Sequence, residues 1–170
     1  MKYFLKILFL FSFLIAIEYD IQDSQITYYG DHYLHKWEGS SIHLNGSLEY
    51  DSISNQYSCS ITIPINTFSS GNDSRDSNML IYCKAYDFPN ISFKSQSMQV
   101  GKSSINIEGI IEFAGVEKVI KTKAKLINFL DSEFLVEGEF EILLSEFSIE
   151  RPSLIFMKME DLVKIKYSIK

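Results

Sequence analysis

Few side chains in this sequence are of the types that perform catalysis or bind metals. The three histidines are His32, His35 and His43, and residues 32 and 35 would point to opposite faces of one strand, so no metal site is expected from them. The sequence has no Ser-His-Asp order with an elbow motif, no HExxH and no glycine-rich phosphate loop. These observations predict a protein that is not an enzyme and that holds no metal or cofactor.

The cysteines and a row of glutamates have two interpretations each. Cys59 falls at an inward position of a predicted strand and Cys83 on a predicted helix. We interpret both as buried thiols that act as small hydrophobes, with a disulfide between them as the alternative. Four glutamates share one strand face, which predicts a solvated outer surface unless that face is a catalytic cleft. They are Glu133, Glu137, Glu139 and Glu141.

The most unusual charged pair is Arg75-Asp76, two opposite charges beside a turn that opens a short predicted helix. A structural ion pair or helix cap is the interpretation we favour for it. The alternative is that these side chains contact a ligand or serve an enzymatic site.

Composition limits the fold and the class of partner. The chain has 170 residues, 46% hydrophobic and 22% charged, with a net charge of -6. That is enough for one domain with a core, and it excludes disorder as the main state. A pI near 5.1 argues against nucleic-acid binding, which normally needs a basic face.

The N-terminal segment reads as a targeting signal. Lys2 and Lys6 precede an apolar run, Ile7 to Ile15, that is too short to span a bilayer comfortably. We predict a secretory signal peptide at residues 1–16 and one domain at residues 17–170, with an uncleaved membrane anchor as the alternative. The mature protein is then periplasmic or secreted.

The rest of the chain shows the period-two alternation of half-buried strands. From Tyr57 to Ile65, for example, every second residue is apolar and most residues between are Ser or Thr. About eight such strands, mostly in sequential hairpins, predict an antiparallel barrel or sandwich. One segment, Asp73 to Ala85, predicts a short helix capped by Asp73 or Ser74 that lies across one mouth.

Several short motifs, taken in order, resemble the YceI-like family of polyisoprenoid-binding proteins. The resemblance implies a lipocalin-like, antiparallel eight-stranded β-barrel with a short helix near one mouth. It also implies an apolar tunnel that holds a long-chain isoprenoid. The motifs are Arg75-Asp76, Phe88-Pro89, Ile91-Ser92-Phe93, the hairpin from Ile107 to Lys118, and Phe147 to Pro152.

The inward positions of the predicted strands supply a candidate ligand-binding wall without charged side chains. An elongated apolar ligand gains roughly 0.8 kcal/mol for each CH₂ that it buries there. The predicted ligand-binding residues are Ile42, Leu44, Leu48, Tyr57, Cys59, Ile61, Ile63, Phe93, Ile105, Ile107, Phe140 and Ile142.

The sequence thus predicts an exported protein that sequesters or carries an isoprenoid or fatty acid. No nucleic acid is expected as a partner, membrane contact is transient if it occurs, and a homodimer is left open. The alternatives are a barrel-fold enzyme and a solid-core structural or adhesion domain. A continuous apolar cavity above roughly 300 Å³ would favour ligand binding over both.

Overall fold

The structure, a computed structural model, describes residues 16–21, 23–130, 133–154 and 156–170. In this part of the chain, one antiparallel sheet contains ten strands, a separate hairpin is formed by two strands of two residues each, and there is a single α-helix. The sheet strands are β1 (Ala16–Asp20), β2 (Gln25–His32), β3 (His35–Ser41), β4 (Asn45–Asp51), β5 (Gln56–Pro64), β6 (Asn90–Val100), β7 (Ser104–Phe113), β8 (Val116–Leu130), β9 (Glu133–Leu143) and β12 (Leu162–Ile169). The remaining elements are α1 (Asp73–Tyr82), β10 (Ser153–Leu154), β11 (Met157–Lys158) and 3₁₀ turns at Ile65–Thr67 and Leu144–Phe147.

The strand order is β1-β4-β5-β6-β7-β8-β9-β12-β2-β3, and every neighbouring pair is antiparallel. The chain itself links the two ends of the sheet, because the consecutive strands β1 and β2 lie at opposite ends. Strand β1 pairs with β4 at one end, and β2 pairs with β12 near the other. Across this link, Ile21 and Leu44 pack in one buried cluster with Ile169. The sheet therefore curls back on itself as a lipocalin-like barrel whose edge strands, β1 and β3, are not paired with each other.

The prediction of an antiparallel barrel with one short helix is confirmed, but the strand count differs from eight. The sequence pattern predicts one strand over residues 18–28, but the structure divides this segment into β1 and β2. His35–Ser41 forms an additional strand, β3. Residues 1–15 of the predicted signal peptide lie outside the described residues, and Ala16 is the first residue of β1. No helix in the described ranges is long and apolar enough to cross a membrane.

Two irregularities in strand pairing help the sheet to curl. The register shifts between Ser95 and Ser97 in β6, and again between Leu126 and Asn128 in β8. An extra residue in one strand of a pair bends that strand and increases its twist. At the first irregularity, the Ser95 hydroxyl accepts a hydrogen bond from the Cys59 backbone N–H at 2.7 Å, so the serine satisfies a donor on β5.

Helix α1 lies over the concave side of the sheet. Its cap is Asn72, whose side-chain oxygen accepts a hydrogen bond from the Arg75 backbone N–H at 3.0 Å, so the predicted caps Asp73 and Ser74 are wrong by one or two residues. The helix ends at Tyr82, short of the predicted Ala85, because Lys84 adopts a left-handed conformation with φ 54. Three helical side chains, Met79, Leu80 and Tyr82, pack against the main core.

Candidate functional site

Two adjoining cavities lie inside the curled sheet. The lower chamber has a volume of about 120 Å³ and is lined from the strands, among others by Leu48, Ile61, Ile105, Val136 and Tyr167. The upper chamber has a volume of about 460 Å³ and lies between the sheet and α1, lined among others by Tyr28, Trp37, Arg75, Met79 and Val163. The chambers share four wall residues, Ile26, Ile91, Ile111 and Phe140. Even without the lower chamber, the upper chamber has a volume within the usual range of ligand pockets.

The structure places most of the predicted ligand-binding residues on the lower chamber. Ile142 instead lines the upper chamber, together with Phe140, which belongs to both. Ile42 is 67% exposed, so its predicted inward orientation is wrong. It lies in the link between β3 and β4, where strand alternation does not apply. The ten residues on the lower chamber are Leu44, Leu48, Tyr57, Cys59, Ile61, Ile63, Phe93, Ile105, Ile107 and Phe140.

The lower chamber has no charged side chain among its lining residues. Its few polar atoms are engaged with the protein: the Thr122 hydroxyl lies 3.2 Å from the Tyr167 hydroxyl and donates to the Glu139 carbonyl at 3.1 Å. Burial raises the pKa of both Tyr167 and Cys59, so these groups are neutral at physiological pH. The chamber therefore presents hydrocarbon to anything that enters it.

One wall of the upper chamber is formed by aromatic rings packed over glycines. In the β2–β3 hairpin, Tyr28 is paired with Gly39 and Trp37 with Gly30, so all four residues lie on the same face. A Cβ on Gly39 would lie 2.5 Å from the Tyr28 ring, and a Cβ on Gly30 would overlap the Trp37 indole. Burial, with a further contribution from the Asp76 charge, raises the pKa of Tyr28 to about 12.

His32 and His35 also line the upper chamber, which corrects the expectation that they point to opposite faces. They belong to different strands and are cross-strand partners, with ring centroids 5.9 Å apart. His32 Nδ1 accepts from the Leu34 N–H at 3.2 Å, so Nε2 carries the proton and donates to the Met157 carbonyl at 3.1 Å. His32 thereby ties the β2–β3 turn to the β10–β11 hairpin. Among the described residues, no group of three or more His, Cys, Asp or Glu could hold a metal ion.

Arg75 and Asp76 do not pair with each other; both contact Ser70. The Asp76 carboxylate accepts from the Ser70 backbone N–H at 3.0 and 3.1 Å and from its hydroxyl at 2.5 Å. Arg75 Nη1 donates to the Ser70 hydroxyl at 3.3 Å, and its guanidinium carbon lies 5.3 Å from the centre of the Trp37 ring. Asp76 thus anchors the segment before α1, whereas Arg75 lies on the wall of the upper chamber.

The other candidate groups of the sequence analysis are placed away from any reactive cluster. Both cysteines are free thiols. Cys59 lines the lower chamber and Cys83 the upper one, and burial raises the pKa of Cys83 to about 12. The described glutamates of β9 are exposed on the outer surface, where Glu139 forms an ion pair with Lys164 at 2.9 Å. The interpretation of that face as a solvated surface is therefore confirmed for residues 137, 139 and 141.

Most residues of the upper chamber were not predicted from the sequence. A usable signal was present in β2, where Ile26, Tyr28, Gly30 and His32 alternate with more polar residues and all four line this chamber. The side chains contributed by α1 carried no comparable signal, because which face of a helix covers a cavity depends on how the helix packs on the sheet.

Several solved structures share this fold. Burkholderia cenocepacia BcnA aligns with a TM-score of 0.75 at 16% identity, covering 86% of this chain and 94% of its own. A polyisoprenoid binding domain from Saccharophagus degradans, implicated in plant cell wall breakdown, aligns with a TM-score of 0.71 at 14% identity, covering 92% of this chain and 97% of its own. The YceI protein of Campylobacter jejuni aligns with a TM-score of 0.64 at 16% identity, covering 78% of this chain and 84% of its own. At such identities the likeness concerns the fold alone.

The family of this chain is identified from its sequence. No curated protein matches it significantly. The sequence model of the YceI-like domain matches residues 18–170, which is nearly the whole of the described chain. The motifs around Arg75-Asp76 and Phe88-Pro89, the curled antiparallel sheet and the helix over its concave side agree with that match. The chain belongs to the YceI-like family.

Proposed function

We propose that this protein binds and carries an elongated apolar ligand, an isoprenoid or a fatty chain, within its two chambers. The observation that carries the proposal is the lower chamber, an uncharged pocket that adjoins a larger one through four shared wall residues. Each CH₂ of a chain that is buried in such a pocket contributes roughly 0.8 kcal/mol to the free energy of binding, so the affinity of an apolar chain rises with its length. A domain whose core was filled would offer no such space, which disfavours the solid-core alternative.

The state of the wall groups supports binding rather than catalysis. The Cys83 thiol and the Tyr28 phenol both have a pKa of about 12, chiefly because burial disfavours their charged forms. A thiol that stays protonated is a poor nucleophile, and a phenol that stays protonated is a poor base. The family match and the likeness to the polyisoprenoid binding domain from Saccharophagus degradans favour the same conclusion.

Export completes the proposal. A carrier of a water-insoluble chain is useful in an aqueous compartment, and the charged start and short apolar run of residues 1–16 are typical of a secretory signal peptide. We expect the mature chain to begin near Ile17 or Glu18 and to be periplasmic or secreted. Intact-mass measurement on the native protein tests this, and a species that still begins at Met1 in the membrane fraction would contradict it.

The central experiment is mass spectrometry of an organic extract from protein purified without detergent. We expect an apolar chain in near-stoichiometric amount. Protein stripped of lipid should then take up a fluorescent isoprenoid probe, and an excess of unlabelled farnesol should displace it. If the purified protein carries no lipid and the stripped protein takes up no probe, the proposed function is wrong.

A further inference from the structure

Two hairpins beside the upper chamber carry large apolar side chains that project into solvent. At the two-residue turn between β2 and β3, Tyr33 is 84% exposed and Leu34 is half exposed. At the β10–β11 hairpin, Phe156 is fully exposed and Met157, which follows it, is also exposed. We call these four side chains the rim patch.

Hydrogen bonds hold the two hairpins side by side. His32, at the end of β2, donates from Nε2 to the Met157 carbonyl at 3.1 Å. The Glu160 backbone N–H, just beyond β11, donates to the Asp31 carbonyl at 2.9 Å. The base of each hairpin also lines the upper chamber, through His32 in one and Ser153 in the other. The rim patch is therefore one surface, and it lies next to the cavity.

The residues of the rim patch are not those that favour tight turns. Two-residue hairpin turns normally contain Gly, Asn or Asp, whereas the β2–β3 turn is Tyr33-Leu34. Phe156 has φ 65, in the left-handed region that bulky residues rarely adopt. Since these side chains are exposed, packing within the fold does not explain them either. Large apolar side chains at such positions indicate a binding surface.

The size of the rim patch favours a lipid bilayer over a protein as the partner. Its two rings, Tyr33 and Phe156, can bury about 150–250 Å² each, whereas a stable protein interface buries about 800 Å² on each side. Leu34 and Met157 add only part of a side chain each. A protruding tip also needs a matching pocket in a protein, but it can enter the fluid surface of a bilayer without one.

The charges around the rim patch favour a bilayer without net charge. The four side chains of the patch are uncharged. Lys36, next to the first tip, forms an ion pair with Asp31 at 2.7 Å, and Lys158 and Glu160 give the second tip one charge of each sign. The chain as a whole has a net charge of -6, which opposes binding to an anionic surface.

We propose that the rim patch docks the protein on a lipid bilayer. Tyr33 and Phe156 insert at the boundary between head groups and acyl chains, a region where aromatic side chains are enriched in membrane proteins. The upper chamber then lies beside the bilayer. Docking is a further activity beyond ligand binding, and only its purpose, to load or release the ligand without passage through water, rests on the proposed function.

The test measures binding to vesicles of phosphatidylcholine. Co-sedimentation of the purified protein gives its partition coefficient, and vesicles that contain phosphatidylglycerol provide the comparison. We expect wild type to bind phosphatidylcholine, and to remain bound at about 1 M NaCl, where the Debye length is only about 3 Å and electrostatic attraction is screened. Binding that requires phosphatidylglycerol and disappears in salt would overturn insertion of an apolar patch.

Variants assign the binding to the rim patch. Phe156→Asp and Tyr33→Asp should each lower the partition coefficient about tenfold to a hundredfold, the range expected when one aromatic ring is no longer buried. Ile53→Asp is the matched control. It also replaces an exposed apolar side chain, 69% exposed, but in the β4–β5 turn, at the other end of β5 from the link to α1. It should leave vesicle binding unchanged, and circular dichroism should show that all three variants fold.

Three results would overturn the proposal. Wild type that binds neither kind of vesicle does not dock. Binding that survives in folded Phe156→Asp and Tyr33→Asp occurs through another part of the chain. A dimer seen by analytical ultracentrifugation that Phe156→Asp dissociates would show that the rim patch joins two copies of this chain instead.

Failure of docking and failure of the proposed function give different results. Delipidated protein that takes up a fluorescent isoprenoid probe from solution but does not bind vesicles would refute docking alone. Protein that binds phosphatidylcholine vesicles through the rim patch but carries no lipid and takes up no probe would refute the proposed function alone.

Discussion

Trp37 lies directly over Gly30 of the neighbouring strand, and the space between them admits no side chain. The two residues are cross-strand partners, and a Cβ on Gly30 would overlap the indole ring. Tyr28, two positions before Gly30 in the same hairpin, lies over Gly39 in the same way. The absence of a side chain at each glycine lets an aromatic ring lie along the sheet, and these two rings line the upper chamber.

Gly30→Ala should therefore displace Trp37. We expect the free energy of unfolding to fall by about 1–3 kcal/mol, the usual cost of overpacking an interior. Because Trp37 is the only tryptophan, its fluorescence spectrum should shift in the folded variant. The measurement is urea unfolding followed by fluorescence and by circular dichroism.

The control for this substitution is Gly101→Ala, at an exposed position where a Cβ would lie 3.1 Å from the Ser104 carbonyl oxygen. It should cost less and leave the Trp37 spectrum unchanged. If Gly30→Ala were as stable as wild type with the same spectrum, the packing of Trp37 over Gly30 would be incorrect.

The sequence was informative where burial on one side of a strand leaves a period of two. In β5 the alternation of Tyr57, Cys59, Ile61 and Ile63 with Ser and Thr gave both the strand and its inward face, and the structure places all four on the lower chamber. The same pattern failed at Ile42, because the predicted alternation begins at that residue whereas β4 begins only at Asn45, so Ile42 lies in a link that is not a strand. Alternation reports local burial and does not mark where a strand begins.

The upper chamber could not be predicted from such local patterns. It requires β2 to pair with β12, more than a hundred residues away in sequence, and α1 to lie over the concave face. The orientation of His32 and His35 failed for a related reason. Both were assigned to one strand, whereas the turn at residues 33 and 34 puts them on two strands and on the same face. Which side chains share a face of the sheet can be decided here only when the pairing partner of each strand is known.

Asp76→Ala should lower stability and leave the bound lipid unchanged. Its carboxylate accepts the Ser70 backbone N–H and hydroxyl, and both donors lose this partner in the variant. We expect about 1–3 kcal/mol of lost stability from unsatisfied donors at a charged acceptor. Thermal unfolding measures the loss, and Asp73→Ala provides the control because it removes an exposed acid from the same helical turn. An equal loss in both variants would argue against a specific anchoring role for Asp76.

Alkaline pH should lower the free energy of unfolding, because Cys83 ionises more readily in the unfolded chain. Burial raises the pKa of this thiol from an ordinary value of 9.0 to about 12, so the folded state favours the protonated form. The stabilising contribution is complete below pH 9 and is lost progressively as the pH rises toward 12, because the unfolded chain ionises first. Tyr28 contributes in the same direction from its ordinary value of 10.0 upward.

Cys83→Val isolates the thiol contribution. Urea unfolding from pH 8 to about 10.5 should show a smaller loss of stability with pH in the variant than in wild type, while the difference between them stays constant below pH 9. Ellman's reagent at pH 8 should react slowly with the folded protein, since both thiols are shielded and protonated. Rapid reaction of Cys83 in the folded chain would contradict its burial.

Ile61 gives the sharpest test of where the apolar chain of the ligand, its tail, lies. Its side chain contributes to the wall of the lower chamber, and its β5 position is paired with Phe93 of β6, which lines the same chamber. Ile61→Trp should fill the space that the tail needs, so a folded barrel persists while lipid retention is lost. Ile61→Asp places a carboxylate in the same apolar wall at a cost of several kcal/mol, and it should impair folding as well as binding.

Ile42→Trp is the control. It places the same indole at a position whose side chain is 67% exposed, and the variant should retain lipid fully. Mass spectrometry of organic extracts, with circular dichroism to establish folding, measures all three variants. If Ile61→Trp folds and still carries its full complement of lipid, the tail does not occupy the lower chamber, even if the protein binds lipid.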